Sequence, residues 1–314
     1  MAKAKYEIEN SINMKGTFHH LVQQIDFEMD EVKDVLKKYP CHIYMICSRP
    51  RITIDPKSVK INEEKYSFDF IKHLPEKKVR VECEFENNLH FKDYKLSDSC
   101  NRIYAFDKDG QVVSEGKTSL LYVNCMEEYD DILDLNVLYI GQAFGENGER
   151  LASDRLVSHN TLQSIYSDFS DKKPTDEIWL ILWQFTPYCI SVMGAVTKGA
   201  SIGFDESYSN LQNLLEGNIP FDQQITITEA ILIRYFLPVY NKEYKTTFPK
   251  NSHSSYDFCY SLDLNSACFE LDTSSLAARL YSNKIKPNFI HLGAYPLHSE
   301  DERKNVFNID TMFD

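Results

Sequence analysis

The sequence predicts an α/β (α+β) fold that opens with a β-rich N-terminal domain. Three observations predict it. Residues 41–115 alternate between apolar and polar side chains, as in Val79-Arg-Val-Glu-Cys-Glu-Phe85, and a period of two is typical of strands. Residues 177–185 form a nearly continuous apolar run with the length of a buried strand. Residues 228–237 instead repeat apolar side chains at helical spacing.

The pattern divides the 314-residue chain into three segments. Residues 1–115 form the β-rich domain, which fits a recognition or regulatory role. Residues 116–250 alternate strands with helices and contain a less regular insertion at about 186–224. Residues 251–314 form a C-terminal extension.

In the N-terminal domain, a helix is expected within residues 27–38, because Val32, Val35 and Leu36 share one helical face and Pro40 follows. Strands are expected at the β-prone or alternating stretches that come next. These are residues 41–47, 51–55, 59–62, 79–85, 103–106 and 112–114.

In the middle segment, two short apolar strands are expected at 119–123 and 137–141, followed by one helix over 151–169. A strand at 177–185 would lie between Pro174 and Pro187. Helices follow at 208–215 and 228–237, the second with Thr228 as N-cap and Pro238 as its stop. The C-terminal extension predicts a strand at 266–271 and a helix at 274–281.

Composition favours a cytoplasmic protein without a membrane span. No apolar run approaches the roughly 18 residues of a membrane helix, and the N-terminus lacks the apolar core of a secretory signal. The eight cysteines include no Cys-x-x-Cys pair, which argues against a zinc ribbon and for reduced core residues.

Net charge is −13, an unusual balance for a chain that meets nucleic acid. Residues 116–245 hold 9 basic and 18 acidic side chains, and part of the excess lies in the loop 127–134. That loop is either a solvated connection or a guard that repels DNA until a partner or metal arrives.

Six polar positions follow one another in an order that suits phosphodiester hydrolysis: Tyr122, Tyr139, Arg155, His159, Glu229 and Asn241. That reaction needs a proton acceptor for water, a cation at the phosphate and an oxygen ligand for a divalent metal. Each requirement has a candidate here. Arg155 and His159 are four residues apart, hence on one face of the predicted helix, whereas the rival Arg150 has no such histidine.

With Tyr139-Ile-Gly141, Arg155-Leu-Val-Ser-His159-Asn160 and the stretch 229–241, residues 118–245 resemble the GIY-YIG nuclease superfamily. The resemblance implies a small antiparallel or mixed sheet flanked by helices. The first motif departs from the family, since Leu120-Leu121-Tyr122 stands where Gly-Ile-Tyr is usual. Sixteen residues separate Tyr122 from Tyr139, more than a compact hairpin needs.

The resemblance implies a metal-dependent endonuclease, with DNA as the substrate and a restriction- or defence-like role. Glu229 would hold one Mg²⁺ or Mn²⁺, and Arg155 would stabilise the charge of the transition state. Tyr122 or Tyr139, with His159 as proton shuttle or phosphate ligand, would deprotonate water; the residues leave that choice open. Asn241 and Gly141 would shape the site.

Two alternatives remain from the residues alone. The chain is a binding or regulatory module that kept the scaffold without turnover, as the acidic middle segment suggests. Otherwise a protein partner supplies the positive surface that this chain lacks. The partners left open also include a second copy of the chain in a homo-oligomer.

Overall fold

The structure is a computed structural model that describes residues 2–145, 150–217, 219–248 and 257–307. It is mixed α/β, as predicted, and falls into two compact units. The first unit joins residues 1–47, 136–162 and 179–314, and the second joins 48–135 and 163–178. The predicted segments 1–115, 116–250 and 251–314 follow chain order, whereas the units group non-adjacent stretches. The division of the chain into those three domains stays a prediction.

The strands, in chain order, are β1 Ile8–Val22, β2 Ile43–Pro50, β3 Ile52–Ile54, β4 Lys60–Ile61, β5 Lys65–His73, β6 Lys78–Glu86, β7 Asp93–Leu96, β8 Arg102–Phe106, β9 Val112–Lys117, β10 Leu135–Gln142, β11 Asp176–Met193, β12 Ser266–Asp272, β13 Leu280–Tyr281 and β14 Ile290–Pro296. The helices are α1 Asp30–Lys38, α2 Thr118–Tyr122, α3 Ala152–Leu156, α4 Asn160–Lys172, α5 Phe204–Glu216, α6 Phe221–Phe236 and α7 Asp257–Ser261. Within the described ranges, no helix is both long and apolar enough to cross a membrane.

A seven-stranded sheet in the order β13-β10-β2-β11-β1-β12-β14 forms the centre of the first unit. The sheet is mixed: β1 pairs antiparallel with β11 and parallel with β12, while β12 pairs antiparallel with β14. Trp179 to Trp183 of β11 are fully buried. This confirms the buried strand that the apolar run predicts, because a central strand covered on both faces needs apolar side chains throughout.

The second unit is formed mainly by the residues between β2 and β10. It contains a sheet in the order β3-β5-β4, with β6 also paired to β5, and a three-stranded sheet β7-β8-β9. Ile52, Ile54, Phe68, Phe70 and Tyr122 belong to its apolar core. The alternating pattern of the β-rich segment is thereby confirmed, since burial along β6 switches at each residue.

Several local predictions are wrong. The predicted strand at 119–123 is instead helical: residues 119–122 belong to α2, in which Thr118 and Tyr122 lie one turn apart and are both buried, and Val123 begins a 3₁₀ turn. Residues 274–281 contain a 3₁₀ turn, Ser274–Leu276, and the strand β13 instead of one helix. The long strand β1 was not predicted. Strand β11 continues through Pro187, which pairs with Met14.

Helix α6 begins earlier than predicted. It starts at Phe221, after Pro220, and it ends at Phe236, where Leu237 takes a left-handed conformation just before Pro238. Thr228 is therefore no N-cap; its hydroxyl donates to the Gln224 carbonyl inside the helix. The predicted stop is confirmed. Glu229 consequently lies in mid-helix, where the helix dipole gives its carboxylate little stabilisation.

The predicted helix 151–169 is two helices, α3 and α4, separated by residues 157–159. The break follows from His159, whose Nδ1 accepts a hydrogen bond from the Leu162 amide, 3.1 Å away. A side chain that accepts from the third residue of the following helix acts as its N-cap. Arg155 and His159 therefore do not share the face of one helix.

Candidate functional site

Five of the six predicted site residues lie in the first unit, brought together from separate elements. Strand β10 carries Tyr139, and helix α3 carries Arg155. His159 precedes α4, Glu229 lies in α6, and Asn241 follows α6. The ring centroids of Tyr139 and His159 are 5.3 Å apart.

Tyr44 of β2 joins this group and was missed by sequence reasoning. Its hydroxyl lies 2.9 Å from His159 Nε2, and its ring centroid is 6.2 Å from that of Tyr139. Strands β2 and β10 are neighbours in the sheet. A Cβ atom at Gly141 would fall on the Tyr44 hydroxyl, so only glycine allows this approach. The available signal was the β-prone run at 41–47, far from Tyr139 in sequence because the β-rich segment intervenes.

His159 is fixed in one protonation state. Its Nδ1 accepts from the Leu162 amide, so the neutral ring carries its proton on Nε2 and donates it to the Tyr44 oxygen. Burial, followed by the charges of Arg155 and Arg150, lowers the pKa of His159 to about 4. The ring is therefore neutral at pH 7 and acts there as a hydrogen-bond donor.

Arg155 is the central positive charge. Its Nε is buried and has no hydrogen-bond partner among the residues that the structure describes. Its guanidinium lowers the pKa values of Tyr44, Tyr139, His159 and Glu229, although burial dominates each shift. One charge thus acts on all four groups, and a buried donor that lacks an acceptor suits an anionic ligand.

Glu229 is 9% exposed. Burial raises the pKa of the Glu229 carboxyl to about 7, and the nearby charge of Glu243 also raises it. The charge of Arg155 and a hydrogen bond with the Gln142 backbone act in the opposite direction and lower this pKa. A carboxyl that titrates near neutrality in a partly enclosed group is typical of functional sites. Ionised, it is an oxygen ligand of the kind that Mg²⁺ and Mn²⁺ prefer.

Glu243, exposed and two residues after Asn241, is a second carboxylate that sequence reasoning missed. It raises the pKa values of both Glu229 and Tyr139. Over the described part of the chain, no group of three or more His, Cys, Asp or Glu residues could hold a metal ion.

Asn241 has a positioning contact. Its Oδ1 accepts from the Ile140 amide at 2.9 Å, and its Nδ2 donates to the Ile140 carbonyl at 2.8 Å. Both hydrogen bonds fix β10 between Tyr139 and Gly141. The supporting role expected for Asn241 fits this contact.

Tyr122 is the sixth predicted residue, and it belongs to the second unit. Its hydroxyl donates to Asp130 at 2.6 Å, and Asp130 also pairs with Lys72 at 2.7 Å. Burial and the hydrogen bond to Asp130 raise the pKa of Tyr122 well above its usual value. Within the acidic loop, Asp134 accepts from Tyr129 at 2.7 Å, so part of that loop is engaged inside the unit.

No protein-family model, no curated protein and no solved structure matches this chain.

Proposed function

We propose that this protein is a metal-dependent endonuclease of the GIY-YIG type, which hydrolyses phosphodiester bonds in DNA. One observation carries the proposal: Tyr44, Tyr139, Arg155, His159 and Glu229 come from separate chain segments and form one electrostatically coupled group in the first unit. We assign to Tyr44 the place that the sequence prediction gave to Tyr122.

Tyr44 is the proposed general base. Burial raises the pKa of Tyr44, a fully buried residue, well above its usual value. The Nε2 proton of His159, which points at the Tyr44 oxygen, and the positive charge of Arg155 both oppose that rise, and a bound divalent ion would add to them. In the reaction, the phenolate takes a proton from water, and the water oxygen attacks phosphorus. The bond between phosphorus and the leaving deoxyribose oxygen then breaks, and that oxygen takes a proton from solvent.

Arg155 would contact the scissile phosphate. Its buried Nε has no acceptor within the described ranges of the chain, and a guanidinium can donate to two phosphate oxygens at once. A fixed positive charge that meets the phosphate in the transition state is among the largest contributions to such reactions.

The residues present fit one divalent ion. Glu229 offers a buried carboxylate oxygen, and hard ions of this kind often take one or two carboxylates with water and substrate phosphate oxygens. Such an ion would neutralise phosphate charge. It would also lower the cost of keeping Glu229 ionised among the buried side chains.

The acidic net charge favours a second candidate, a binding module without turnover. Repulsion from the phosphate backbone would otherwise have to be overcome by the ion or by a protein partner. Cleavage is the result that separates the two candidates.

The test is nicking of supercoiled plasmid by the full chain at low ionic strength. We expect nicking with Mg²⁺ or Mn²⁺ and none in EDTA. Arg155→Ala should lower the rate by about 10²–10³-fold. Arg80→Ala is the matched control, because its guanidinium is held by Asp55 and Asp69 in the second unit. Absence of nicking on single-stranded and duplex DNA and on RNA, with either ion, would instead favour the binding module.

The pH dependence follows from Glu229. Its carboxyl must be ionised to hold the ion, and its pKa of about 7 leaves it mostly protonated at pH 6. At subsaturating Mg²⁺, binding of the ion should therefore strengthen about tenfold between pH 6 and pH 8, and the initial rate should rise at least as much, because the phenolate of Tyr44 also becomes more populated. Raising the Mg²⁺ concentration should shift the midpoint to lower pH, because the ion competes with the proton. A rate that stays flat over this range would contradict the role of Glu229.

A further inference from the structure

The first unit contains a cavity of about 180 Å³ between helix α6 and the central sheet. We call it the aromatic cavity, after Trp183 and Phe185 of β11, His42 beside β2, and Phe221 at the start of α6. Two of its lining residues are sequence neighbours of residues in the proposed active site. His42 lies two residues before Tyr44, and Thr228, another lining residue, directly precedes Glu229.

The lining suits a flat, uncharged ring. None of the described lining residues is Asp, Glu, Lys or Arg. The remaining polar groups include the amides of Gln184 and Gln224. A volume of this size is below the roughly 300–1,000 Å³ of pockets for drug-sized ligands, so it admits one small ring system.

A buried donor in the lining lacks an acceptor. The indole nitrogen of Trp183, a fully buried residue, has no hydrogen-bond partner among the described residues. The edge of the indole with Cε3 and Cζ3 faces Gly16, and Nε1 lies on the opposite edge. Because Trp183 is fully buried, its N–H is not reached from the cavity, and the polar groups that a ligand can meet there include the half-buried amides of Gln184 and Gln224.

One aromatic ring of the lining is exposed, and other rings lie next to it. Phe221 is 47% exposed, and its ring centroid lies 5.1 Å from that of His42 and 5.7 Å from that of Phe144. Phe144 follows β10 by two residues, so these rings lie near the end of the strand that carries Tyr139. Exposed rings beside a nucleic-acid site are typical platforms for stacked bases.

We propose that the aromatic cavity receives one unstacked nucleobase of the substrate, next to the phosphate that is cut. The base would stack against Phe221 and exchange hydrogen bonds with the side-chain amides of Gln184 and Gln224, while its charged phosphate stays outside the uncharged lining. The link to cleavage rests on the proposed function; binding of the base does not. A substrate whose base must leave the stack would be cut faster when single-stranded or mispaired.

The test measures binding by the full chain in EDTA, where the proposed cleavage cannot occur. The probe is a short single strand of abasic tetrahydrofuran residues with one central 2-aminopurine, compared with the same strand lacking any base. We expect the base to tighten binding about tenfold, as aromatic stacking on one base commonly does. The 2-aminopurine fluorescence should also fall as its ring stacks.

Three variants locate the base. Phe221→Ala should remove the advantage of the base, whereas Phe221→Tyr, which keeps the ring, should retain it. Phe204→Ala removes a similarly exposed ring from α5, outside the cavity lining, and should retain it as well. Equal affinity of the two strands for the unaltered chain, or an advantage that survives Phe221→Ala, would overturn the proposal.

The outcome is separable from that of the proposed function. Glu229→Gln and Arg155→Ala should keep the affinity ratio between the two strands, because neither residue lines the cavity. A chain that shows this ratio but never nicks DNA supports a base-binding module. If the chain nicks DNA but binds the two strands with equal affinity, the nuclease assignment stands and the proposal that the cavity binds a base fails.

Discussion

Replacing Glu229 with glutamine is expected to abolish metal-dependent nicking and, in the same molecule, to stabilise the fold above pH 7. The loss of nicking follows from the loss of the anionic oxygen that would hold the ion. The gain in stability follows from burial, which raises the pKa of the carboxyl from 4.5 to about 7. The folded chain therefore has to bear the cost of ionising a buried group, and glutamine is never charged.

The sign of the stability change depends on pH. Below the unfolded value of 4.5, the carboxyl is protonated in both states, and the charge costs nothing. Between 4.5 and about 7, the unfolded chain loses its proton first, so folding becomes progressively less favourable. Above 7 the full cost applies, about 3 kcal/mol. Urea unfolding in EDTA at pH 5 and pH 8.5 measures this difference directly.

Glu243→Gln is the matched control for stability, because Glu243 is a nearby but exposed carboxylate. Its substitution should change the free energy of unfolding by less than about 0.5 kcal/mol at either pH. Nicking that survives in Glu229→Gln would remove Glu229 from the metal site. Equal stability of Glu229→Gln and the unaltered chain at pH 8.5 would show that burial does not raise the pKa of the Glu229 carboxyl in the folded chain.

Tyr44→Phe should lower the nicking rate by about 10²–10⁴-fold, the usual range for loss of a general base. The substitution removes only the hydroxyl that meets His159 Nε2, and it keeps the ring against Tyr139 and His159. His159→Gln, which can still donate a hydrogen bond, should retain more activity than His159→Ala. Single-turnover rates at saturating Mg²⁺ isolate the chemical step.

Tyr122→Phe provides the comparison, since Tyr122 was, with Tyr139, one of the two sequence candidates for the same role. Its hydroxyl bonds Asp130 in the second unit, so its loss should cost about 1 kcal/mol of stability and change the rate by less than about threefold. A large rate loss for Tyr122→Phe, with Tyr44→Phe near the unaltered rate, would reverse the assignment. Tyr139→Phe completes the set and tests the remaining tyrosine.

Local pattern was sufficient for much of the secondary structure. The apolar run at 177–185 predicts a buried central strand, and β11 is buried there on both faces. Alternation predicts strands such as β6, and Pro238 predicts the end of α6. These predictions succeed because the period of the side chains and the missing amide of proline act within a few residues.

Short apolar runs were decided by tertiary contacts. Residues 119–123 fit a strand or a helix equally well, and burial of Thr118 and Tyr122 on one face of α2 settled the matter. The break before α4 likewise depends on one hydrogen bond from Leu162 to His159, which no periodicity reveals.

By itself, the sequence determined the mixed α/β class and the chemical identity of Tyr139, Arg155, His159, Glu229 and Asn241, because side-chain periodicity and residue type are local properties. Tyr44 is far from Tyr139 in the sequence. Only the tertiary structure decided that the two tyrosines lie side by side on neighbouring strands. It also decided that Glu229 is buried in mid-helix, where removal from water sets its pKa near 7. Contacts between distant segments and the exclusion of water belong to the folded chain, so no local pattern encodes them.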